Sequence, residues 1–305
     1  MSSDLTFDLD FTPRPEAPEI LSPLVRRVLA GNGGPFTFKG TCSYIVGRGR
    51  VAIIDPGPDR PDHIAALIDA VYGETVTHIV VTHTHMDHSP ASRALAAATG
   101  APIVGCGPHR AARALAEGET RSLEGSNDIE YQPDIEMHEG DVIEGPDWRL
   151  EALATPGHTA NHLAFALPQE QALFSADHVM AWSTTVVAPP DGSMTEFMAS
   201  LDKLRGRSET VYWPGHGGPV TEPQRFVRAL IHHRRQREAS ILARLAAGDR
   251  TIPEIVAAIY QNLAPALIRA AGLSTFAHLE DLVGRGLALT EGAPRLDGEY
   301  RPAGA

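Results

Sequence analysis

Six consecutive residues, His83-Thr84-His85-Met86-Asp87-His88, constrain this chain more than any other stretch. They follow the apolar run from His78 to Thr82 and precede a helical pattern that Ser89 caps, Pro90 opens and Gly100 closes after Thr99. The six therefore occupy a loop between a strand end and a helix start. Alternate side chains of an extended segment point the same way, so His83 and His85 can face one ion, and the following turn can aim Asp87 and His88 at a second. Such a pattern arises by accident on the order of once in several hundred chains of this composition, which favours a metal site over a solvated histidine loop.

Four donors do not complete two sites, and the rest of the chain offers more in similar settings. Thr155-Pro156-Gly157-His158 follows an apolar run, Phe174-Ser175-Ala176-Asp177 ends another, and Tyr212-Trp213-Pro214-Gly215-His216 ends a third. Each sets one donor just past a strand, in a turn whose glycine or proline lets the backbone approach an ion closely.

Up to about residue 220 the pattern alternates short β-branched runs with turn signals. Residues 44–46, 51–54, 78–81, 102–104, 150–154, 163–167 and 172–174 read as strands. Ile64, Leu67, Ile68 and Val71 mark one face of a helix over Pro61 to Tyr72. Beyond Gly217-Gly218-Pro219 the pattern changes to one long helix from Arg225 to Ala247 and shorter ones after it, with breaks expected at Gly248–Pro253 and Gly272–Thr275 and no strand before Leu287-Ala288-Leu289. The expected division is a catalytic α/β domain over 1–221 and a small, mostly helical domain over 222–305. Charge divides at the same place: residues 1–221 hold 15 basic and 29 acidic side chains, a balance of −14, and residues 222–305 hold 11 and 9, a balance of +2.

Two cysteines, Cys42 and Cys106, cannot form a disulfide framework, and the amino-terminal segment has neither a basic nor an apolar signal region. No run of about 18 apolar residues occurs, so the expected address is the cytoplasm, with no membrane partner. The net charge of −12 argues against a surface that embraces nucleic acid along its whole length.

HxHxDH, then a lone His after a Pro-Gly turn, an Asp at a strand end and a Gly-His, in this order over about residues 20–220, resembles the metallo-β-lactamase superfamily. The tail is similar to the winged-helix domain of the group related to β-lactamase-like protein 2, through His233-Arg234 to Ile241-Leu242, Thr251, Tyr260 and Ala277-His278-Leu279. Residues 32–37 and 40–44 also resemble that group's amino-terminal segment, with Cys42 where Asn is usual. The resemblance implies an αββα sandwich of two facing mixed sheets, followed by a winged-helix-like domain. It implies that His83, His85 and His158 hold a first metal, that Asp87, His88 and His216 hold a second, and that Asp177 bridges them, with Ala176-Asp177 replacing the usual Gly-Asp.

Five imidazoles and two carboxylates without thiolate suit two divalent ions, zinc first, while admitting iron, manganese or cobalt. Two such ions against two carboxylates and a bridging hydroxide leave a charge of about +1, suited to an anionic or polarised carbonyl substrate. The expected mechanism is attack by a metal-bound hydroxide, formed as the water pKa falls from about 15.7 towards 7. Asp87 is the group to orient it and shuttle a proton. His178, next to the bridging Asp177 and with Asp87 a catalytic candidate, reads either as a partner on the substrate side or as a packed histidine. His162 and Asn161 read as structural, His63, His78, His109, His138, His232 and His233 as ordinary, and the run Arg234-Arg235-Gln236-Arg237 as a solvated helix face.

The expected reaction is hydrolysis of an ester, thioester or related acyl bond in a small molecule. The alternative is cleavage of single-stranded RNA at the same site, which the resemblance of the tail to a winged-helix domain favours, whereas a chain with only Lys39 and Lys203 as lysines speaks against a tRNA-processing role. A di-iron oxidoreductase of the same fold is disfavoured by His85, where that group usually carries Glu. A regulator acting through its tail on DNA is disfavoured by the full set of donors. Oligomeric state is left open.

Overall fold

The computed structural model describes residues 5–116, 119, 126–261 and 263–304. Seven strands form one sheet in sequence order: β1 (Glu19–Ile20), β2 (Val25–Leu29), β3 (Cys42–Val46), β4 (Arg50–Ile54), β5 (Thr75–Val81), β6 (Ile103–Gly105) and β7 (Ile135–Glu136). β1 to β4 pair antiparallel and β4 to β7 parallel. The parallel half needs crossovers, which α1 (Pro61–Ala70) and α2 (Ala91–Thr99) supply. A second sheet of five strands runs β12 (Val211–Pro214), β11 (Ala172–Ala176), β10 (Leu163–Leu167), β9 (Arg149–Ala154), β8 (Val142–Glu144), with only β11 and β12 parallel.

Period-2 alternation explains how the sheets stack. Leu163, Phe165 and Leu167 of β10 share one core with Tyr44, Ile54 and Val80 of the first sheet, and the Tyr44 ring lies 5.1 Å from that of Phe174 on β11, so the two sheets face each other across it. Ala164 and Ala166 point the other way, into a core with Phe197, Leu201 and Leu204 of α3 (Met194–Arg205) and with Val227, Leu230 and Ile231 of α4 (Pro223–Ala247). Leu67 of α1 covers the outer face of the first sheet. These layers make the αββα sandwich.

α4 continues past this core. Its Ile241 and Leu245 join α5 (Ile252–Ile259), α6 (Pro265–Gly284), and the hairpin of β13 (Ala288–Thr290) with β14 (Tyr300–Pro302) in a third core. Gly248 ends α4 at φ 110°, and Thr251 with Glu254 forms a capping box that starts α5.

The structure corrects several expectations. The break expected at Gly272–Thr275 is absent, because α6 runs through it, and a Cβ at Gly272 would make only an ordinary contact, 3.8 Å from Ile252. Ser89 does not cap α2. Its hydroxyl donates to Asp128 at 2.8 Å, and Pro90 takes the cap position without a side-chain bond. The run from Arg234 to Arg237 is not a plain solvated face: Arg234 is 4% exposed, and the Arg237 guanidinium stacks 4.1 Å from the Tyr260 ring centroid. Strands β1, β7, β8 and β14 are two or three residues long and give too little alternation to read, while Arg26 and Arg27 interrupt the apolar run of β2. Of the amino-terminal segment read above, residues 1–4 lie outside the described residues.

Candidate metal centre

The site begins with two adjacent parallel strands. β4 ends at Ile54 and β5 at Val81, so Asp55 lies beside Thr82, and its carboxylate accepts the Thr82 N–H and hydroxyl, each at 2.8 Å. The same carboxylate accepts His88 Nδ1–H at 2.9 Å, anchoring both ends of the 82–88 loop. Asp55 escaped the sequence reading, although Asp55-Pro56-Gly57 at the end of an apolar run carries the same signal that singled out Asp177.

The donors from the other segments converge on this loop. His83 Nε2 and His158 Nε2 each stand 3.0 Å from His85 Nδ1, and Asp177 Oδ2 lies 3.6 Å from His158 Nε2. In a second group, His216 Nε2 is 3.3 Å from His88 Nε2 and 3.2 Å from Asp87 Oδ2. Asp177 reaches this group too, with Oδ2 at 3.3 Å from His216 Nε2 and Oδ1 at 3.5 Å from His88 Nε2. The structure thus brings together His83, His85, His158 and Asp177, and beside them Asp87, His88 and His216, the atoms of each group lying within 4.8 Å of one another.

The donor set fits cations. Tetrahedral zinc with Zn–N bonds of 2.0–2.1 Å sets neighbouring ligand nitrogens about 3.4 Å apart, close to the separations here. Four imidazoles turn their other nitrogen to an oxygen: His83 Nδ1 to the Thr82 hydroxyl at 3.0 Å, His88 Nδ1 to Asp55, His158 Nδ1 to the Val186 carbonyl at 2.7 Å, and His216 Nδ1 to the Gly40 carbonyl at 3.1 Å. In the neutral ring, donation outward leaves the inward nitrogen as a lone pair, the arrangement of metal-ligating histidines. Asp177 Oδ1 is buried without a hydrogen-bond partner, a costly state that a cation relieves.

Electrostatics separate the groups. Burial pulls His83 well below the usual imidazole range and His85 down to about 3, with neighbouring imidazoles adding to the effect. Burial also depresses His88 and His216, but the carboxylates around them outweigh it. Asp87, Asp177 and Asp55 hold His88 well above the usual range, and Asp177 and Asp87 raise His216 to about 10.

Close backbone approach decides the glycines. A Cβ on Gly215 would stand 2.3 Å from Asp177 Oδ1 and 2.7 Å from His88 Cε1, so no side chain fits there. Thr41 lies at the rim, its hydroxyl 3.4 Å from Asp87 Oδ2 and held by Asn32 at 2.9 Å. Cys42 turns inward into the core between the sheets, where burial lifts its thiol to about 11, so it presents nothing to a substrate.

His178 is not brought to either group. Its ring is fully buried against Phe197, 4.5 Å between centroids, with neither nitrogen partnered, and burial pulls it down to about 3, so the structure places it as a packed histidine. His162 donates or accepts at Thr155 Oγ1, 2.8 Å away, while Asn161 and His109 both hold the Thr84 hydroxyl, at 3.1 Å each. His109 thus steadies the residue between two donors, a role that its ordinary sequence context did not signal.

Comparison with known proteins agrees with this geometry. Residues 36–216 match the Metallo-beta-lactamase superfamily and residues 251–296 the Beta-lactamase associated winged helix domain. An Atrochrysone carboxyl ACP thioesterase of Aspergillus fumigatus is 31% identical over 270 residues, covering 82% of this chain and 78% of that protein. A Beta-lactamase-like protein 2 homolog of Caenorhabditis elegans is 33% identical over 233 residues, covering 73% and 72%. A metallo-beta-lactamase family protein of Thermus thermophilus superposes with a TM-score of 0.75 at 25% identity, over 93% of this chain and all 100% of that one. A beta-lactamase domain protein of Burkholderia ambifaria shares the fold, with a TM-score of 0.79 at 19% identity over 96% of each chain. Matched over more than half its length and carrying the histidine and aspartate groups in the expected order, the chain belongs to the metallo-beta-lactamase superfamily and is a metal-dependent hydrolase.

Proposed function

We propose that the protein hydrolyses an acyl thioester or a related ester of a small molecule at a binuclear zinc centre. The observation that carries the reading is Asp177, whose two oxygens reach donors of both groups. His83, His85 and His158 would hold one ion, Asp87, His88 and His216 the other, and Asp177 both. Such ions, when bound, lower the pKa of a water from about 15.7 towards 7 and stabilise negative charge developing on the carbonyl oxygen.

The chain's own groups do the rest. Asp87 keeps a quarter of its side-chain surface open, at 25%, which supports it as the carboxylate that would orient the attacking water and take its proton. The Thr41 hydroxyl beside it limits its rotation. Asp55, Val186 and Gly40 hold the imidazoles in the tautomers that direct lone pairs inward. The thioesterase name of the Aspergillus fumigatus relative supports the acyl substrate. The burial of Arg234 withdraws one cation of the 234–237 run from the surface that an RNA strand would need. We assign residues 1–221 to the catalytic domain and 222–305 to the winged-helix-like domain. The two buried, unbridged thiols suit the reducing cytoplasm.

The test is a panel of acyl thioesters, lactones, a chromogenic cephalosporin and single-stranded RNA, each run with zinc-loaded and chelator-stripped protein. Zinc-dependent thioester cleavage with intact RNA is the expected result. RNA cleavage without acyl hydrolysis would overturn the reading.

A further inference from the structure

The segment between β11 and α3 has no regular secondary structure, yet it opens with Asp177 and contains the Val186 carbonyl that orients His158. Irregular backbone needs other ties to hold a precise geometry. One is Thr185, whose hydroxyl donates to the Asp177 carbonyl at 2.6 Å and lies 3.1 Å from that of His178. Another comes from the C-terminal part of the chain. Arg234 of α4 donates through Nη2 to the Thr185 carbonyl, and its guanidinium lies 5.1 Å from the Phe197 ring centroid.

Arg234 is an unusual residue to find there. It is buried, and among the described residues its Nε has no hydrogen-bond partner and no carboxylate acts on it. A buried guanidinium without a counter-charge is costly, and an apolar side chain would continue the face that Val227, Leu230 and Ile231 pack against Val179, Ala181 and Val187. What an apolar residue would not supply is a donor to the Thr185 carbonyl.

We infer that Arg234 is a positioning residue for the metal centre. Its guanidinium fixes Thr185, and through Thr185 it fixes the backbone that sets Asp177 on one side and the Val186 carbonyl, hence His158, on the other. This inference rests on the reading that the donor groups hold metal ions. It makes a helix after the last donor, His216, part of the support of the site.

The experiment measures zinc affinity of the full chain by competition with a chromogenic chelator, together with the visible absorption of the cobalt(II) form. Arg234→Met is expected to weaken zinc binding by about 10- to 100-fold and to shift the cobalt bands, as loss of a ligand's supporting partner does elsewhere. Arg237→Met, which removes a cation stacked on Tyr260 away from the loop, is expected to bind zinc like the wild type. Arg234→Lys keeps the charge but loses the fork, and is expected to recover only part of the affinity.

Wild-type affinity in Arg234→Met, or an equal loss in Arg237→Met, would overturn the inference. Should Arg234→Met not fold, Arg234→Lys and Thr185→Val decide, and unchanged affinity in both rejects it. A wild-type chain that takes up no divalent ion defeats the proposed function and this inference together, whereas uptake unaffected by the variants defeats the inference alone.

Discussion

Two regions of this molecule bury histidines, and they treat them in opposite ways. At the strand ends, His83, His88, His158 and His216 each give one ring nitrogen to an oxygen and turn the other towards neighbouring donors. On α6, His278 is also buried with neither nitrogen partnered among the described residues, a ring kept neutral by burial and by the positive charges of Arg234 and Arg237. His178, between the regions, behaves like His278. Burial alone therefore does not mark a ligand. The mark is an outward hydrogen bond that fixes the tautomer, together with inward nitrogens about 3 Å apart.

The strongest way to break this contrast is to remove a donor from the strand-end group. His85→Ala and Asp87→Ala are expected to lower hydrolysis by roughly a thousandfold or more, with the circular dichroism spectrum unchanged, since both lie in a loop at the strand ends. Either variant turning over at the wild-type rate with full metal content would remove the assignment.

A second test sharpens the role of the outward bonds. Asp55→Asn places a donor against His88 Nδ1–H, and Thr82→Val removes the acceptor of His83 Nδ1–H. Each is expected to cost about 10- to 100-fold in zinc affinity, followed by competition titration. Equal affinity in both variants and the wild type would show that tautomer fixation does not matter here.

The smallest effect belongs to the packed ring. Burial lowers His278 to about 3, so between that value and the ordinary 6.5 the unfolded chain binds a proton that the folded chain does not. Its contribution to stability is therefore complete above pH 6.5 and lost as pH falls towards 3. His278→Leu is expected to flatten the decline of the unfolding free energy across that window, by up to about 1.4 kcal/mol per pH unit, and to leave zinc binding unchanged. A loss of metal uptake in this variant would erase the distinction between the two regions.

Much of this was readable in advance where a signal is local. The loop at 83–88 and the turns at 157–158 and 214–216 announce themselves because each donor sits beside its own strand end and its own glycine or proline. Residues 163–167 read as a strand, while the stacking of the two sheets was legible only through the family resemblance. What stayed hidden depends on contacts between distant segments. Asp55 matters only because β4 and β5 are neighbours, Thr185 only because Arg234 arrives from a helix at a separation of 49 residues. Ser89 looked like a cap because nothing local reveals Asp128 as its partner. The pairing of β14 with β13 spans a turn too polar to suggest a strand.

Because α4 lends its first turns to the sandwich and its last turns to the winged-helix core, the tail cannot be shed as an appendage. A chain ending at residue 221 would leave Val179, Ala181 and Val187 facing water and Thr185 without its guanidinium. Grafting a foreign tail onto this hydrolase would require copying the inner stripe of that helix as well.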